Sequence, residues 1–322
     1  MIIVCGEALF DVFTDGESAA GFALAARIGG SPFNVAAGLA RLGTAPRFFG
    51  GLSRDQFGRK LAAALEREGV DLSCAPRPDA ATALVAVDVD AEGVPAYTLY
   101  GSATAERMVM PADLARVPED AAAIHVGSYC MAVEPVASTL RALVARQRHR
   151  SLIAFDPNVR LTIQPDRAVW QAAVAWMLPM TDLLKISNED IGHLYPGMAP
   201  QAFIDHALAA GVALVVVTRG GHGVLAVTAA LAPLDLPAAP VDVVDTVGAG
   251  DTFQAALLSW LSRHGLLART ALQALDARTL REALAFAGRA AAITCSRRGA
   301  DLPRLEEVAR RWQLPAEPAA QS

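Results

Sequence analysis

The stretch Asp245-Thr246-Val247-Gly248-Ala249-Gly250-Asp251-Thr252-Phe253-Gln254-Ala255-Ala256-Leu257-Leu258 decides the fold. The apolar residues just before it, 241–244, read as a strand running into two glycines. The chain then leaves as a helix with Asp251 in its first turn. Such a junction points several backbone N–H groups at one spot, where the helix dipole also favours negative charge, so it suits a phosphate or a developing anion. Gly248 and Gly250 let the backbone approach that anion without a Cβ in the way. Asp251 admits two readings. An acidic residue near a helix N-terminus stabilises the helix by about 0.3–1 kcal/mol. It can also be a base that receives the proton of an attacking hydroxyl while the N–H groups hold a transferring phosphoryl.

The chain has 322 residues, 53% of them hydrophobic and 19% charged. That composition excludes a disordered chain and allows one large α/β domain or two smaller ones with a real core. The formal net charge is −5 with no long basic run, which argues against a nucleic-acid partner and fits a protein handling small molecules. Cys5, Cys74, Cys130 and Cys295 lie far apart without a C-x-x-C pair, so neither a zinc ribbon nor a disulfide framework is expected. Cys5, Cys130 and Cys295 read as small packed hydrophobes. Glu7 comes too early for a signal peptide, and no uninterrupted apolar run approaches about 18 residues. The expected location is the cytoplasm, with no membrane span.

Residues 2–5 read as a buried strand. Gly6-Glu7-Ala8-Leu9-Phe10-Asp11 then sets two carboxylates at or just after its end, where binding residues gather in open α/β sheets. A second apolar run, 22–28, is broken by Gly29-Gly30. Residues 31–43 look like a complete helix: Ser31 as N-cap, Pro32 in the first position, Gly43 at the end. Asn34 in its first turn faces whatever binds at the Gly-Gly step, or is merely polar near a helix start. Residues 47–51 read as a strand and 55–68 as a helix. Segments 83–89 and 94–100, joined by Asp90-Ala91-Glu92-Gly93, form a hairpin that breaks the strand–helix alternation. A separate small sheet is expected there, with 22–28 as a possible partner strand. Alternation resumes after Pro118, with strands at 122–126, 151–155, 181–185 and 212–217. Helices are expected at 134–146, 167–177, 188–195 and 200–210. This spacing predicts a largely parallel sheet covered on both faces. A hairpin at 223–227 and 231–236, helices at 250–264, 280–295 and 304–312, and a frayed tail at 315–322 complete the chain.

Three more spots follow strand ends. Thr218-Arg219-Gly220-Gly221-His222-Gly223 is a flexible turn suited to nucleotide phosphates or ribose, although a tight hairpin would need glycines too. Arg219 is either a phosphate partner or a solvated surface residue. Asp156-Pro157-Asn158-Val159-Arg160 is an extended entry whose Asn158 and Arg160 can hydrogen-bond hydroxyls or anions, or a plain Asp-Pro turn. Ser187-Asn188-Glu189-Asp190 is a helix cap, with Glu189 favoured for that part, or a holder of the waters around Mg²⁺. Two nucleotide signatures are missing. There is no G-x-x-x-x-G-K-[ST], and Gly248-Ala249-Gly250 lacks the third glycine of a dinucleotide fingerprint. The six histidines show no zinc-hydrolase spacing.

Together these residues resemble the ribokinase-like sugar kinases, the PfkB family, and within it the fructokinase branch. Gly29-Gly30 with Asn34 and Ala36, and Gly51-x-x-x-Asp55-x-x-Gly58, match the N-terminal signature. Asp245-Thr246-x-Gly248-Ala249-Gly250-Asp251 matches the C-terminal one. Asp156-Pro157-Asn158-x-Arg160 and Cys295-Ser296-Arg297-Arg298-Gly299-Ala300 look like fructokinases in particular. The resemblance implies one ribokinase-like α/β domain over residues 1–322, with a small β lid from about 10–28 and 82–104. It implies Asp251 as base and Gly248, Ala249 and Gly250 as anion hole. Asp11, Gly30, Asn34 and Arg160 would hold the sugar, while Thr218, Gly220, Gly221 and Gly223 line the ATP site. A monovalent cation such as K⁺ would sit by Asp245 and the Val247 carbonyl, with Gly299 near. The implied reaction is transfer of the γ-phosphoryl of ATP, with Mg²⁺, to a primary hydroxyl, D-fructose giving fructose 6-phosphate. Alternatives are a 2-keto-3-deoxygluconate or ribose kinase, or a sugar-binding sensor without catalysis; a homodimer is compatible with the family. The chain departs from the pattern at Ser53, Arg219 and Gly101, and at Ser187 and Asp190 where the family's N-x-x-E would lie.

Overall fold

The structure, a computed structural model, describes residues 1–18, 21–89 and 95–311. The expected turn at 90–93, the tail at 315–322 and the last residue of the helix expected at 304–312 fall outside them.

Eight strands form one sheet in the order β12-β11-β10-β9-β8-β7-β1-β4. They are β1 (Ile2–Cys5), β4 (Pro46–Phe49), β7 (Ala123–Gly127), β8 (Leu152–Asp156), β9 (Leu183–Ser187), β10 (Leu214–Thr218), β11 (Val224–Thr228) and β12 (Leu234–Leu236). All pair in parallel except β11 and β12, which add an antiparallel edge. A strand covered on both faces must be apolar throughout, and β1, Ile-Ile-Val-Cys, is fully buried. Its period of two splits the core. Ile2 and Val4 join one cluster and Ile3 and Cys5 the other.

The first cluster lies under α1 (Ser31–Arg41), α2 (Gln56–Glu68), α7 (Ala249–Arg263), α8 (Arg269–Gln273), α9 (Ala277–Cys295) and α10 (Leu305–Arg311). The second lies under α3 (Val136–Gln147), α4 (Arg167–Met177), α5 (Asn188–Leu194) and α6 (Pro200–Ala209). Among the described residues no helix is long and apolar enough to cross a membrane.

A second, four-stranded sheet has the order β3-β2-β5-β6, from β2 (Leu9–Ser18), β3 (Gly21–Gly29), β5 (Leu84–Val89) and β6 (Pro95–Tyr100). The expected small sheet is present, with 22–28 inside β3. It gains β2, where the sequence suggested only a strand end near Asp11. Asp55 ties this sheet's base to the main body. Its Oδ1 accepts from Gly58 N (2.7 Å) at the start of α2, and its Oδ2 from Thr82 N (2.8 Å) just before β5.

Residues 241–244 are not a strand. Val243 and Val244 are 63% and 57% exposed. The Val244 and Asp245 N–H groups donate to the Cys295 carbonyl at the end of α9 (2.8 and 3.2 Å). Apolar content signals a buried strand, but no strand among the described residues takes up this backbone, and the end of α9 anchors it instead.

Candidate active site

The parallel strands end in register: Cys5 pairs with Val126, Gly127 with Asp156, and Ser187 with Thr218. The order also reverses at β1, which has β4 on one side and β7 on the other. Ligands in open α/β sheets bind beyond the carboxyl ends of strands at such a switch point.

Asp251 stands in the first turn of α7, whose N-cap Gly248 is left-handed with φ 75°. A Cβ there would also press to 2.9 Å on the Ala300 Cα, so only glycine fits the turn. No side chain caps α7. The Ala249 N–H reaches the Thr246 carbonyl at 3.2 Å, while no acceptor meets those of Gly250 and Asp251 among the described residues. These orphaned donors are what an anion would occupy.

The Asp251 carboxylate is held from across the cleft. Ser31 Oγ donates to Oδ1 at 2.6 Å and Asn34 Nδ2 to Oδ2 at 2.8 Å. Ser31 is therefore not the cap of α1. Gly30 takes the N-cap position without a side-chain bond, and the Ser31 hydroxyl is spent on Asp251. A lone Ser-Pro reads as a helix start, and nothing local reveals a partner 220 residues away.

The Gly29-Gly30 step is explained by what it leaves room for. A Cβ on Gly29 would collide with the Asp11 carboxylate, and one on Gly30 (φ 104°) would reach the Glu7 carbonyl at 2.8 Å. Asp11 lies on β2 and faces this step. Burial pushes its pKa up to about 6, with Arg160 pulling the other way. Arg160 is exposed, donates to its neighbour's carbonyl, Val159 O, at 3.0 Å, and makes no ion pair among the described residues. Glu7 is buried at the end of β1. Burial lifts its pKa to about 7 against hydrogen bonds from Ser128 and Cys130, and Oε2 has no partner.

At the end of β10, Gly220–His222 form a 3₁₀ turn, and Gly220 and Gly221 border open space. Gly223 serves the hairpin, since a Cβ would strike the Leu236 carbonyl. Arg219 is bound in a fork to Asp235 on β12 and to the His222 carbonyl. Its reading as a phosphate partner gives way to a surface ion pair bracing the hairpin.

Asp190, not Glu189, makes the capping box of α5 with Ser187. Ser187 Oγ donates to its Oδ2 at 2.7 Å and accepts its N–H at 2.9 Å. Its Oδ1 accepts from Val159 N at 2.8 Å, so the Asp190 carboxylate anchors the loop that carries Arg160. Asp245 likewise uses both oxygens on backbone, accepting from Val247 N (3.0 Å) and Gly299 N (2.7 Å).

Sequence reasoning passed over Lys185. Its ammonium meets Asp156 Oδ2 at 2.8 Å, both side chains being buried. Burial opposes its charge, but Asp156, with Asp190 and Asp251, outweighs that and raises its pKa above the usual value. The signal was a single cation inside the apolar strand Leu183-Leu184-Lys185-Ile186.

The model of the pfkB family carbohydrate kinases matches residues 1–307. A fructokinase of Rhizobium leguminosarum bv. trifolii is 35% identical over 284 residues, spanning 87% of this chain and 86% of that protein. The solved fructokinase of Xylella fastidiosa with bound ATP superposes with a TM-score of 0.86 at 26% identity, covering 96% and 97% of the two chains. That of Vibrio cholerae O395, in its fructose, ADP and calcium ion bound form, gives 0.81 at 26% identity over the same shares.

Proposed function

The chain belongs to the pfkB family of carbohydrate kinases, and we propose that it transfers the γ-phosphoryl of ATP to the primary hydroxyl of D-fructose, giving fructose 6-phosphate. The relatives are named for fructose, which favours it over ribose or 2-keto-3-deoxygluconate. The observation that carries the reading is the Asp251 carboxylate, gripped by Ser31 and Asn34 beside the open N–H groups of α7.

In this reading fructose lies between Asp11, the Gly30 turn, Asn34 and Arg160, with its hydroxyl on Asp251. Each Asp251 oxygen has one lone pair committed and one free, so the carboxylate can accept the hydroxyl proton without turning. The N–H groups of Gly250 and Asp251 face the transferring phosphoryl, with Gly248 and Ala249 shaping the turn. A phosphoryl-transfer transition state is loose, so positioning and electrostatics carry most of the rate. The four-stranded sheet serves as a lid that excludes water, within a single domain.

Thr218, Gly220, Gly221 and Gly223 would line the nucleotide site, where the open space at Gly220 and Gly221 fits a close-lying ligand. Mg²⁺ would be held through the phosphates, because the Asp190 oxygens are taken by Ser187 and Val159; when bound it would screen the phosphate charge. A K⁺ ion would lie against the Val247 carbonyl in the loop that Asp245 braces.

The test is a panel of sugars with ATP and Mg²⁺. D-Fructose is expected to give the highest kcat/KM; a higher value for ribose or 2-keto-3-deoxygluconate would overturn the assignment.

A further inference from the structure

The carbonyl of Gly248, the N-cap of α7, is held twice. It accepts from Thr252 N at 2.8 Å and from Thr252 Oγ1 at 2.8 Å. A threonine hydroxyl turned back on the carbonyl one helical turn earlier is ordinary. This one has a further partner on α9, Thr294 Oγ1 at 2.8 Å, and both threonines are fully buried. A hydroxyl has a single proton to give. Thr252 spends its own on Gly248, so Thr294 is the donor of the pair. The bonds run one way, from Thr294 to Thr252 to Gly248.

The last turn of α9 thereby holds both ends of the loop that leads into α7. The Cys295 carbonyl takes the N–H groups of Val244 and Asp245 where the loop begins, at 2.8 and 3.2 Å. The Thr294 hydroxyl, next along the helix, reaches Gly248 through Thr252 where the loop ends. A peptide unit is planar, so fixing the Gly248 carbonyl fixes the Ala249 N–H with it. The open N–H groups of Gly250 and Asp251 follow in the same turn. Donors aimed in advance at developing charge need no reorganisation during the reaction.

We propose that Thr252 and Thr294 are positioning residues of the transfer step: their paired hydroxyls set the Gly248 carbonyl and so aim the Gly250 and Asp251 N–H groups at the γ-phosphoryl. This rests on the reading of the Asp251 turn as the phosphoryl-transfer centre. Neither hydroxyl gives up its proton in the reaction, and both act through the backbone of the turn.

The informative variant is Thr252→Val with Thr294→Val. Replacing both partners of a buried hydrogen bond by apolar groups of like shape is nearly neutral for stability. The urea midpoint should therefore stay close to that of the unaltered protein, while kcat falls about tenfold with fructose KM little changed. A kcat loss smaller than about threefold, or a change confined to KM, overturns the proposal. Thr252→Ser with Thr294→Ser restores both hydroxyls and should regain most of the lost kcat; equal losses in the two double variants also overturn it. Asp251→Asn is measured beside them. If that variant is inactive while the valine variant is fully active, the threonines fall and the reading of the site stands. If Asp251→Asn is itself active, the reading falls and the proposal with it. A crystal structure of the unaltered protein with fructose, ADP and aluminium fluoride tests the arrangement without relying on any variant. A fluoride within about 3.2 Å of the Gly250 or Asp251 nitrogen is expected, with both hydroxyl bonds intact. No fluoride within about 3.5 Å of either nitrogen, or a hydroxyl bond opened beyond that distance, overturns it.

Discussion

Asn34 Nδ2 donates to Asp251 Oδ2 at 2.8 Å, joining residues 217 apart in sequence. The bond ties the first turn of α1 to the first turn of α7, and with it the Gly29-Gly30 step to the turn of Gly248 and Gly250. Ser31 holds the other oxygen at 2.6 Å, and the carboxylate plane is fixed before any ligand arrives.

Ser31→Ala removes one of these two grips. A hydrogen bond to a charged group contributes about 1.5–3 kcal/mol, so kcat should fall at least about tenfold. Under the proposed mechanism fructose KM stays nearly constant, because Ser31 grips the proposed base and is not among the proposed sugar ligands. Steady-state kinetics with fructose varied at saturating ATP checks this. A rise in KM at unchanged kcat would show that Ser31 binds substrate instead.

Asp251→Asn keeps the shape of the grip and removes the proton acceptor. Loss of a general base costs roughly 10²–10⁴-fold in rate, so turnover should drop by that amount while ATP affinity, by calorimetry, changes little. Turnover close to that of the unaltered chain would leave Asp251 with only the helix-stabilising role.

The sequence reads well where burial alone dictates residue type. The parallel strands β7 to β10 were visible as apolar runs because helices cover both faces, and Asp251 with its glycines was visible as a motif. It reads poorly where tertiary context decides. β2 carries Asp11 and Asp15, which break the apolar run by which a strand is read. Residues 241–244 read as a strand because they are mostly apolar, although Val243 and Val244 are exposed. Ser31 and Lys185 were missed for one shared reason. Their partners, Asp251 and Asp156, lie far along the chain, and no local periodicity encodes such contacts.

Asp11 gives a pH signature. Burial raises its pKa to about 6, partly offset by Arg160, so it is a carboxylate above that pH and protonated below it. If its charge holds sugar hydroxyls, fructose KM should rise as pH falls from about 7 to about 5, since hydrogen bonds to an ionised acceptor are roughly twice as strong. Asp11→Asn should have a higher KM above pH 6, approach the unaltered chain near pH 5, and lack the inflection near pH 6. An unchanged inflection in that variant would assign it to another group.

Glu7 should make the fold weaker at high pH. It is buried, one carboxylate oxygen lacks a partner, and its pKa rises from 4.5 to about 7, burial outweighing hydrogen bonds from Ser128 and Cys130 and the charge of Arg160. The sign follows from linkage. A group whose folded pKa lies above its unfolded value contributes stability that is fully present below pH 4.5 and lost as pH rises through about 7. Glu7→Gln cannot ionise and avoids that loss. It should match the unaltered chain near pH 4.5, gain on it between pH 4.5 and 7, and hold a constant advantage above. At about 1.4 kcal/mol per pKa unit, the rise from 4.5 to about 7 sets the gain at pH 8 at no more than about 3.5 kcal/mol. Urea unfolding at several pH values measures it through the midpoint at constant slope. A pH-independent difference between the two proteins would mean that Glu7 stays ionised in the folded chain, held by partners stronger than Ser128 and Cys130.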